Sequence, residues 1–142
     1  MSVLILQGPG VEPAPLPPRA RWGDHELQSV RCRNVDALVA GLQAVRGGDI
    51  ALVLLDGGHL ARPQSRAAWP RLRQALDQLP VPYIELETDA ADELEPWLHP
   101  RHLPLATLVT PDNRAQGYAM SQAIALRRLA ATDARGEAAC RS

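Results

Sequence analysis

Short apolar runs rich in β-forming residues alternate with longer segments of helical periodicity along this chain. Five such runs lie at residues 3–6, 27–32, 50–55, 83–86 and 105–109, each bounded by glycine, proline or charge. Most are apolar at every position, which is typical of parallel strands that are buried on both faces. Strands of this kind, separated by helices, predict an α/β fold. With 142 residues, of which 46% are hydrophobic, the chain suits one domain.

The segments between the runs divide into helices and one long loop. Residues 34–46 place apolar side chains at i, i+3, i+4 and i+7, and Asn34 is suited to cap the N-terminus of this helix. Two further helices are predicted at residues 65–79 and 113–131. Residues 10–24 carry closely spaced prolines that no helix tolerates, so we expect a long loop there that could act as a lid.

The charge of the chain argues against several classes of function. Its formal net charge of −1 and pI near 6.4 offer no positive surplus to attract a nucleic acid or an anionic membrane, so neither is expected as a partner. Every basic residue is arginine. The lack of lysine excludes Schiff-base catalysis and the lysine chemistry of P-loops.

The cysteines and the first run bear on location. Cys32 and Cys140 have neither CxxC nor metal-type spacing, which favours a reduced, cytoplasmic protein. Residues 1–6 are apolar, but Gly8 ends the run too early for a signal peptide or a membrane span. We therefore interpret this run as the first strand.

Polar residues follow four of the predicted strands at the point where each strand ends. They are Gln7, Asp56, Glu87 and Thr110. In a doubly wound sheet, ligands bind outside the C-terminal ends of the strands, near the switch point between the first and third. We therefore expect any functional site at this edge.

Five short segments match a known family pattern in order and approximate spacing. They are Val-Leu-Ile-Leu-Gln-Gly-Pro-Gly at residues 3–10, the third run with its Asp-Gly-Gly end at 49–58, Val-Pro-Tyr-Ile-Glu-Leu-Glu at 81–87, Glu-Pro-Trp at 95–97 and Ala-Gln-Gly-Tyr at 115–118. Together they resemble the type II dehydroquinases, the 3-dehydroquinate dehydratases of the shikimate pathway.

The resemblance implies a flavodoxin-like three-layer sandwich over residues 1–131. Residues 132–142 are polar and are expected to form a flexible tail. The implied sheet has five parallel strands in the order 2-1-3-4-5, with the Pro-rich loop in place of the family's first helix. It also implies a homo-oligomer built from trimers, often a dodecamer. Whether the chain binds a small molecule is left open. The family's lyase reaction removes water from 3-dehydroquinate through an enolate, without metal or cofactor.

Several positions that carry this chemistry in the family hold residues that cannot perform it. The proton-donating histidine corresponds to Glu87, which needs a strongly raised pKa to act as an acid. The family's glutamate is kept as Glu85. The substrate-binding arginine corresponds to Leu94, which cannot hold a carboxylate. A register shifted by a few residues would let Arg101 supply that cation instead.

Three further family positions also differ. The asparagine that holds the enolate corresponds to Gln7, which is one methylene longer. Another asparagine corresponds to Asp56, whose carboxylate would repel an anionic substrate. The lid tyrosine corresponds to Trp22, which has no proton to exchange at a useful pKa. The resemblance places substrate-binding residues at Gly8, Gly10, Arg19, Gly57, Gly58 and Thr88.

Carboxylates and histidines near the predicted edge raise the alternative of a metal site. A hard cation could bind to four carboxylates, and zinc or a replacement acid could involve two histidines. These residues are Asp56, Glu85, Glu87 and Asp89, and His59 and His102. We favour solvated or structural roles for both groups and predict no metal. The three tryptophans are expected to complete the core or a subunit interface.

Two hypotheses of function remain. In the first, the chain keeps the family's fold, has lost dehydratase activity and serves a binding, assembly or regulatory role. In the second, it is an active lyase or related small-molecule enzyme that uses Glu87 or Asp56 in a reorganised acidic site. A substrate-sized, enclosed pocket at Gln7, Asp56 and Glu87 favours the second hypothesis. A pocket filled by Trp22, Leu60 or Leu94 favours the first.

Overall fold

The computed structural model describes residues 1–58 and 60–141, with side chains described as far as Thr132. The strands are β1 (Ser2–Gln7), β2 (Arg21–Trp22), β3 (His25–Arg31), β4 (Ile50–Asp56), β5 (Tyr83–Glu87) and β6 (Thr107–Val109). The helices are α1 (Val35–Gln43), α2 (Trp69–Asp77), α3 (Glu95–Leu98) and α4 (Arg114–Arg141), with 3₁₀ turns at Pro63–Ala68 and Ala90–Asp92. The fold class is α/β, as the alternation of runs predicts.

The strands form one mixed, mostly parallel sheet in the order β2-β3-β1-β4-β5-β6. Only β2 is antiparallel to its neighbour, with Trp22 aligned to His25. The prediction of five parallel strands was therefore wrong in strand count and order. The additional strand arises because Gly23, with a φ of 60°, turns the chain tightly enough for Trp22 to bury its ring at the sheet's edge.

Helices cover both faces of the sheet. On one face, α1 and α2 pack their leucines and valines against alternate residues of β1, β4 and β5. On the other face, α4 packs against the intervening residues of the same strands, together with Trp22. Because successive side chains of a strand point to opposite faces, each fully apolar strand contributes to both cores.

The connection from β1 to β3 contains no helix in residues 8–20. Ala14 and Leu16 of this Pro-rich loop pack on the α4 side of the sheet, where a crossover helix would otherwise lie. The prolines remove backbone donors and fix the chain in an extended form. The expected long loop is therefore present, and it is packed against the core.

The predicted helices are present with altered ends. The Asn34 side chain caps α1 by accepting a 2.8 Å hydrogen bond from the amide of Ala37, as predicted. A 3₁₀ turn forms the start of the second predicted helix, and α4 extends ten residues beyond the predicted end at 131. The extension is rich in alanine and arginine, which favour helix.

None of the helices within residues 1–58 and 60–141 combines the length and the apolar character needed to cross a membrane.

Replacing Asn34 by alanine should lower the free energy of unfolding by about 1 kcal/mol, because the amide of Ala37 loses its acceptor. Chemical denaturation monitored by circular dichroism measures this change. The Asn34→Asp variant keeps a cap oxygen and should remain close to the parent protein. Equal losses in both variants would contradict the capping role.

Candidate functional site

The C-terminal edge of the sheet holds the polar residues that end its central strands. Gln7 and Asp56 end β1 and β4 and are aligned neighbours. Because side chains alternate along a strand, this pair faces α4, whereas Glu87 at the end of β5 faces α1 and α2, as Tyr83 does. Gln7, Asp56 and Glu87 are only 1%, 3% and 1% exposed. These three predicted edge residues thus lie in two buried groups on opposite faces of the sheet.

The first group is centred on one carboxylate oxygen, Oδ2 of Asp56. The Tyr118 hydroxyl and Nη2 of Arg114 each donate to it over 2.7 Å, and Nε2 of Gln7 donates over 3.2 Å. The Arg114 guanidinium also lies 5.8 Å from the centroid of the Tyr118 ring. We call Gln7, Asp56, Arg114 and Tyr118 the Asp56 network.

The Asp56 network also holds the Pro-rich loop. Nε2 of Gln7 donates to the carbonyl of Glu12 over 2.8 Å, and Nη1 of Arg114 donates to the carbonyl of Pro13 over 3.3 Å. These contacts satisfy loop carbonyls that have no strand or helix partner. The network therefore joins β1, β4, the loop and the first turn of α4.

Burial and the charge of Asp56 determine the state of the Tyr118 hydroxyl. Burial raises the pKa of Tyr118 most, and the negative charge of Asp56 raises it further. The hydroxyl stays protonated and donates its hydrogen to Asp56. It is therefore unsuited to act as a general base at neutral pH, where a base needs a pKa near the working pH.

The second group is the acid pair Glu85 and Glu87 on β5. Burial, followed by the charge of Glu85, raises the pKa of Glu87 to about 11. Neither carboxyl oxygen of Glu87 has a hydrogen-bond partner of normal geometry among the described residues. Burial also raises the pKa of Glu85, but its Oε1 accepts a 2.8 Å hydrogen bond from the amide of Leu94, which opposes the rise. Glu87 is consequently neutral at pH 7.

The glycines after β4 are enclosed by neighbouring groups. A Cβ on Gly57 would collide with the carboxyl group of Glu87, and a Cβ on Gly58 would collide with Val11. Both glycines, predicted to bind substrate, thus permit close packing of the β4 end against its surroundings.

Trp22 and Leu94, which were placed at family catalytic positions, lie in the two cores. Each is 2% exposed. Trp22 belongs to the core under α4, and Leu94 belongs to the core under α1 and α2. The backbone amide of Leu94 donates a hydrogen bond to Glu85.

The other predicted substrate-binding residues are dispersed. Gly8 and Gly10 line a cleft of about 320 Å³ with Arg31 and Arg33. Arg19 lines a cavity of about 330 Å³ under the Pro-rich loop, which reaches Gln7. Thr88 is exposed after β5. These positions therefore do not form one enclosed site with the Asp56 network.

Among the described side chains, no group of three or more His, Cys, Asp or Glu residues is placed to hold a metal ion. His59 lies outside the described residues. Nδ1 of His102 lies 2.9 Å from the carbonyl of Leu76, and its ring meets Tyr83 edge-on. Asp89 accepts a hydrogen bond from the amide of Ala91.

Arg114 and Tyr118 were not identified from the sequence. Tyr118 was noted only as the end of the Ala-Gln-Gly-Tyr segment, although the two residues are four apart on the first turns of α4. That spacing puts them on one face. A helix that begins after the last parallel strand also begins at the C-terminal edge, so the spacing was the available signal.

No protein-family model matches this sequence, and no curated protein is significantly similar to it. The resemblance to type II dehydroquinases therefore depends on the short segments alone.

The Asp56→Asn substitution should lower the free energy of unfolding by about 2–3 kcal/mol, because the partly buried Arg114 loses its counter-charge. Asp36→Asn is the matched control, since Asp36 pairs with Arg71 at 2.6 Å on the exposed surface. It should cost less than about 1 kcal/mol. Urea denaturation of both variants measures the difference, and equal effects would show that burial of the pair is unimportant.

Glu87 should make the protein less stable as pH rises. Its pKa in the folded protein, about 11, lies above the ordinary value of 4.5, so folding takes up a proton between these pH values. This stabilising contribution is complete below the unfolded pKa and is lost as pH rises towards the folded pKa. The loss approaches the order of 1 kcal/mol per pH unit.

Urea denaturation at several values between about pH 5 and pH 9 measures this loss. The Glu87→Gln variant should show a shallower dependence, whereas the exposed control Glu95→Gln should retain that of the parent. Identical pH profiles for the parent and Glu87→Gln would refute a neutral, buried Glu87.

Proposed function

We propose that this chain is a divergent, dehydroquinase-like protein that has lost 3-dehydroquinate dehydratase activity and serves a binding, assembly or regulatory role. One observation carries the proposal. At positions that are catalytic in the family, this chain has residues that pack in its core or bind to its own side chains. Trp22 and Leu94 are core residues, and the Asp56 carboxylate is bound by three donors from the protein itself.

A flavodoxin-like arrangement is part of this proposal. It is supported by helices on both faces of a mostly parallel sheet and by the central position of β1 between β3 and β4. The antiparallel strand β2 is an addition at one edge. A trimer-based homo-oligomer in the cytoplasm remains our expectation, supported by the family resemblance and by the cysteine usage.

The chemistry at the edge of the sheet agrees with lost activity. Removal of water through an enolate requires a base, a cation for the substrate carboxylate and an acid for the departing hydroxyl. Tyr118 has a raised pKa and is bound to Asp56, and Arg114 is neutralised by the same carboxylate. Losing each such group costs about two to four orders of magnitude in rate, so the combined loss leaves little turnover.

One observation favours the alternative of an active lyase with an acidic site. The pKa of Glu87 is raised to about 11, so the residue carries a proton at neutral pH, as a general acid must. Its 1% exposure separates this proton from a substrate in the described conformation. The alternative therefore requires the β4 and β5 ends to open.

A dehydratase assay at high protein concentration tests the proposal between about pH 5 and pH 9. The enone product absorbs in the ultraviolet, and an active type II dehydroquinase serves as the control. We expect no turnover above the background without protein. Turnover that Glu87→Gln abolishes and Glu95→Gln preserves would overturn the proposal and identify Glu87 as the acid.

A further inference from the structure

A surface groove between α2 and α3 belongs neither to the Asp56 network nor to the acid pair. Its volume is about 330 Å³. It is lined by Arg66, Trp69, Pro70, Arg73, Trp97 and Leu98. We call it the tryptophan groove. This volume accommodates one or two side chains of a bound segment.

Two tryptophans form walls of the groove: Trp69 is held in place, and Trp97 is half exposed. The indole N–H of Trp69 donates to the carbonyl of Leu60 over 2.9 Å, which fixes its ring against the core. The ring of Trp97 lies 5.6 Å from that of Trp69 at a tilt of 41°, and Trp97 remains 49% exposed. A half-exposed tryptophan beside a fixed one is typical of surfaces that bind an apolar group of a partner.

The charged residues that line the groove are two arginines, Arg66 and Arg73. The Arg66 guanidinium lies 5.7 Å from the centroid of the Trp69 ring, and the described residues provide it with no carboxylate within ion-pairing distance. Arg73 has only a loose pair, with its Nε 3.9 Å from Asp77. Among the described residues, no acidic side chain lines the groove. Both arginines can therefore form ion pairs with carboxylates of a partner.

We propose that the tryptophan groove binds an acidic segment of a partner protein. In such a segment, one aromatic or aliphatic side chain enters between Trp69 and Trp97, and flanking carboxylates pair with Arg66 and Arg73. Two cations around an apolar groove suit a short acidic peptide, whereas a nucleic acid requires a long basic surface that a chain of net charge −1 does not offer. The inference supplies a partner chemistry for the proposed binding role, and it stands whether or not dehydratase activity is lost.

A synthetic peptide array tests this recognition with the full-length protein. Each peptide of about ten residues carries a central Phe, Leu or Ala, flanked by Glu and Asp, by Arg, or by Ser. We expect the acidic peptides centred on Phe or Leu to bind, and those centred on Ala or flanked by Arg not to bind. Affinity, measured by fluorescence polarisation, should fall at least about tenfold between 50 mM and 500 mM NaCl because the charged contacts are screened.

Matched variants locate the binding on the surface. Trp97→Ala and the double variant Arg66→Gln/Arg73→Gln should each weaken binding of the best acidic peptide at least about tenfold. The controls lie on α4 and leave the groove intact: Met120→Ala replaces another exposed apolar residue, and Arg127→Gln/Arg128→Gln removes two exposed arginines. The controls should bind as the parent does.

Several results would overturn the proposal. One is binding that does not depend on the sign of the peptide charge, and another is binding that survives Trp97→Ala. Failure of every acidic peptide to bind a correctly folded parent protein would also overturn it. Sedimentation velocity tests whether a second copy of this chain occupies the groove. If Trp97→Ala converts an oligomer to a monomer, the groove is a contact between copies, and the proposal is overturned.

Discussion

The carboxylate of Asp56 joins parts of the molecule that the chain order keeps far apart. Its Oδ2 receives hydrogen bonds from Gln7 on the neighbouring strand and from Arg114 and Tyr118 on the last helix. Gln7 and Arg114 in turn hold two carbonyls of the Pro-rich loop. A buried charge is costly unless it is paired and hydrogen-bonded, so this carboxylate makes the position of all four elements interdependent.

The same arrangement explains why the Asp56 carboxylate, at an edge that commonly binds ligands in α/β proteins, is not free to bind one here. The Asp56 carboxylate is occupied by three donors of the protein itself, whereas the described residues give neither carboxyl oxygen of Glu87 a hydrogen-bond partner. Glu87 avoids the cost of a buried charge differently, by remaining protonated beside Glu85. The open, chemically distinctive surface instead lies between α2 and α3, where tryptophan rings and arginines face solvent. Binding through that surface needs no contribution from the sheet's edge.

Local patterns in the sequence were sufficient for some features. The cap at Asn34 and the periodicity of α1 depend on residues within a few positions of each other, and both were predicted correctly. By contrast, β2 contains two residues and has no periodicity to recognise, since its formation depends on the burial of Trp22. The partners of Asp56 were also beyond local patterns. Tyr118 lies 62 residues away, and only the strand order and the crossing of α4 bring the two together.

The contact between Gly57 and Glu87 has a consequence for how this protein can diverge. A methyl group at position 57 would occupy the space of the Glu87 carboxyl, so an alanine there requires the Glu87 side chain to shift or to become shorter. If the alanine comes first, the intermediate is overpacked unless that side chain shifts. Positions 57 and 87 are therefore expected to covary. Steric contact between the adjacent strand ends constrains the order in which they mutate.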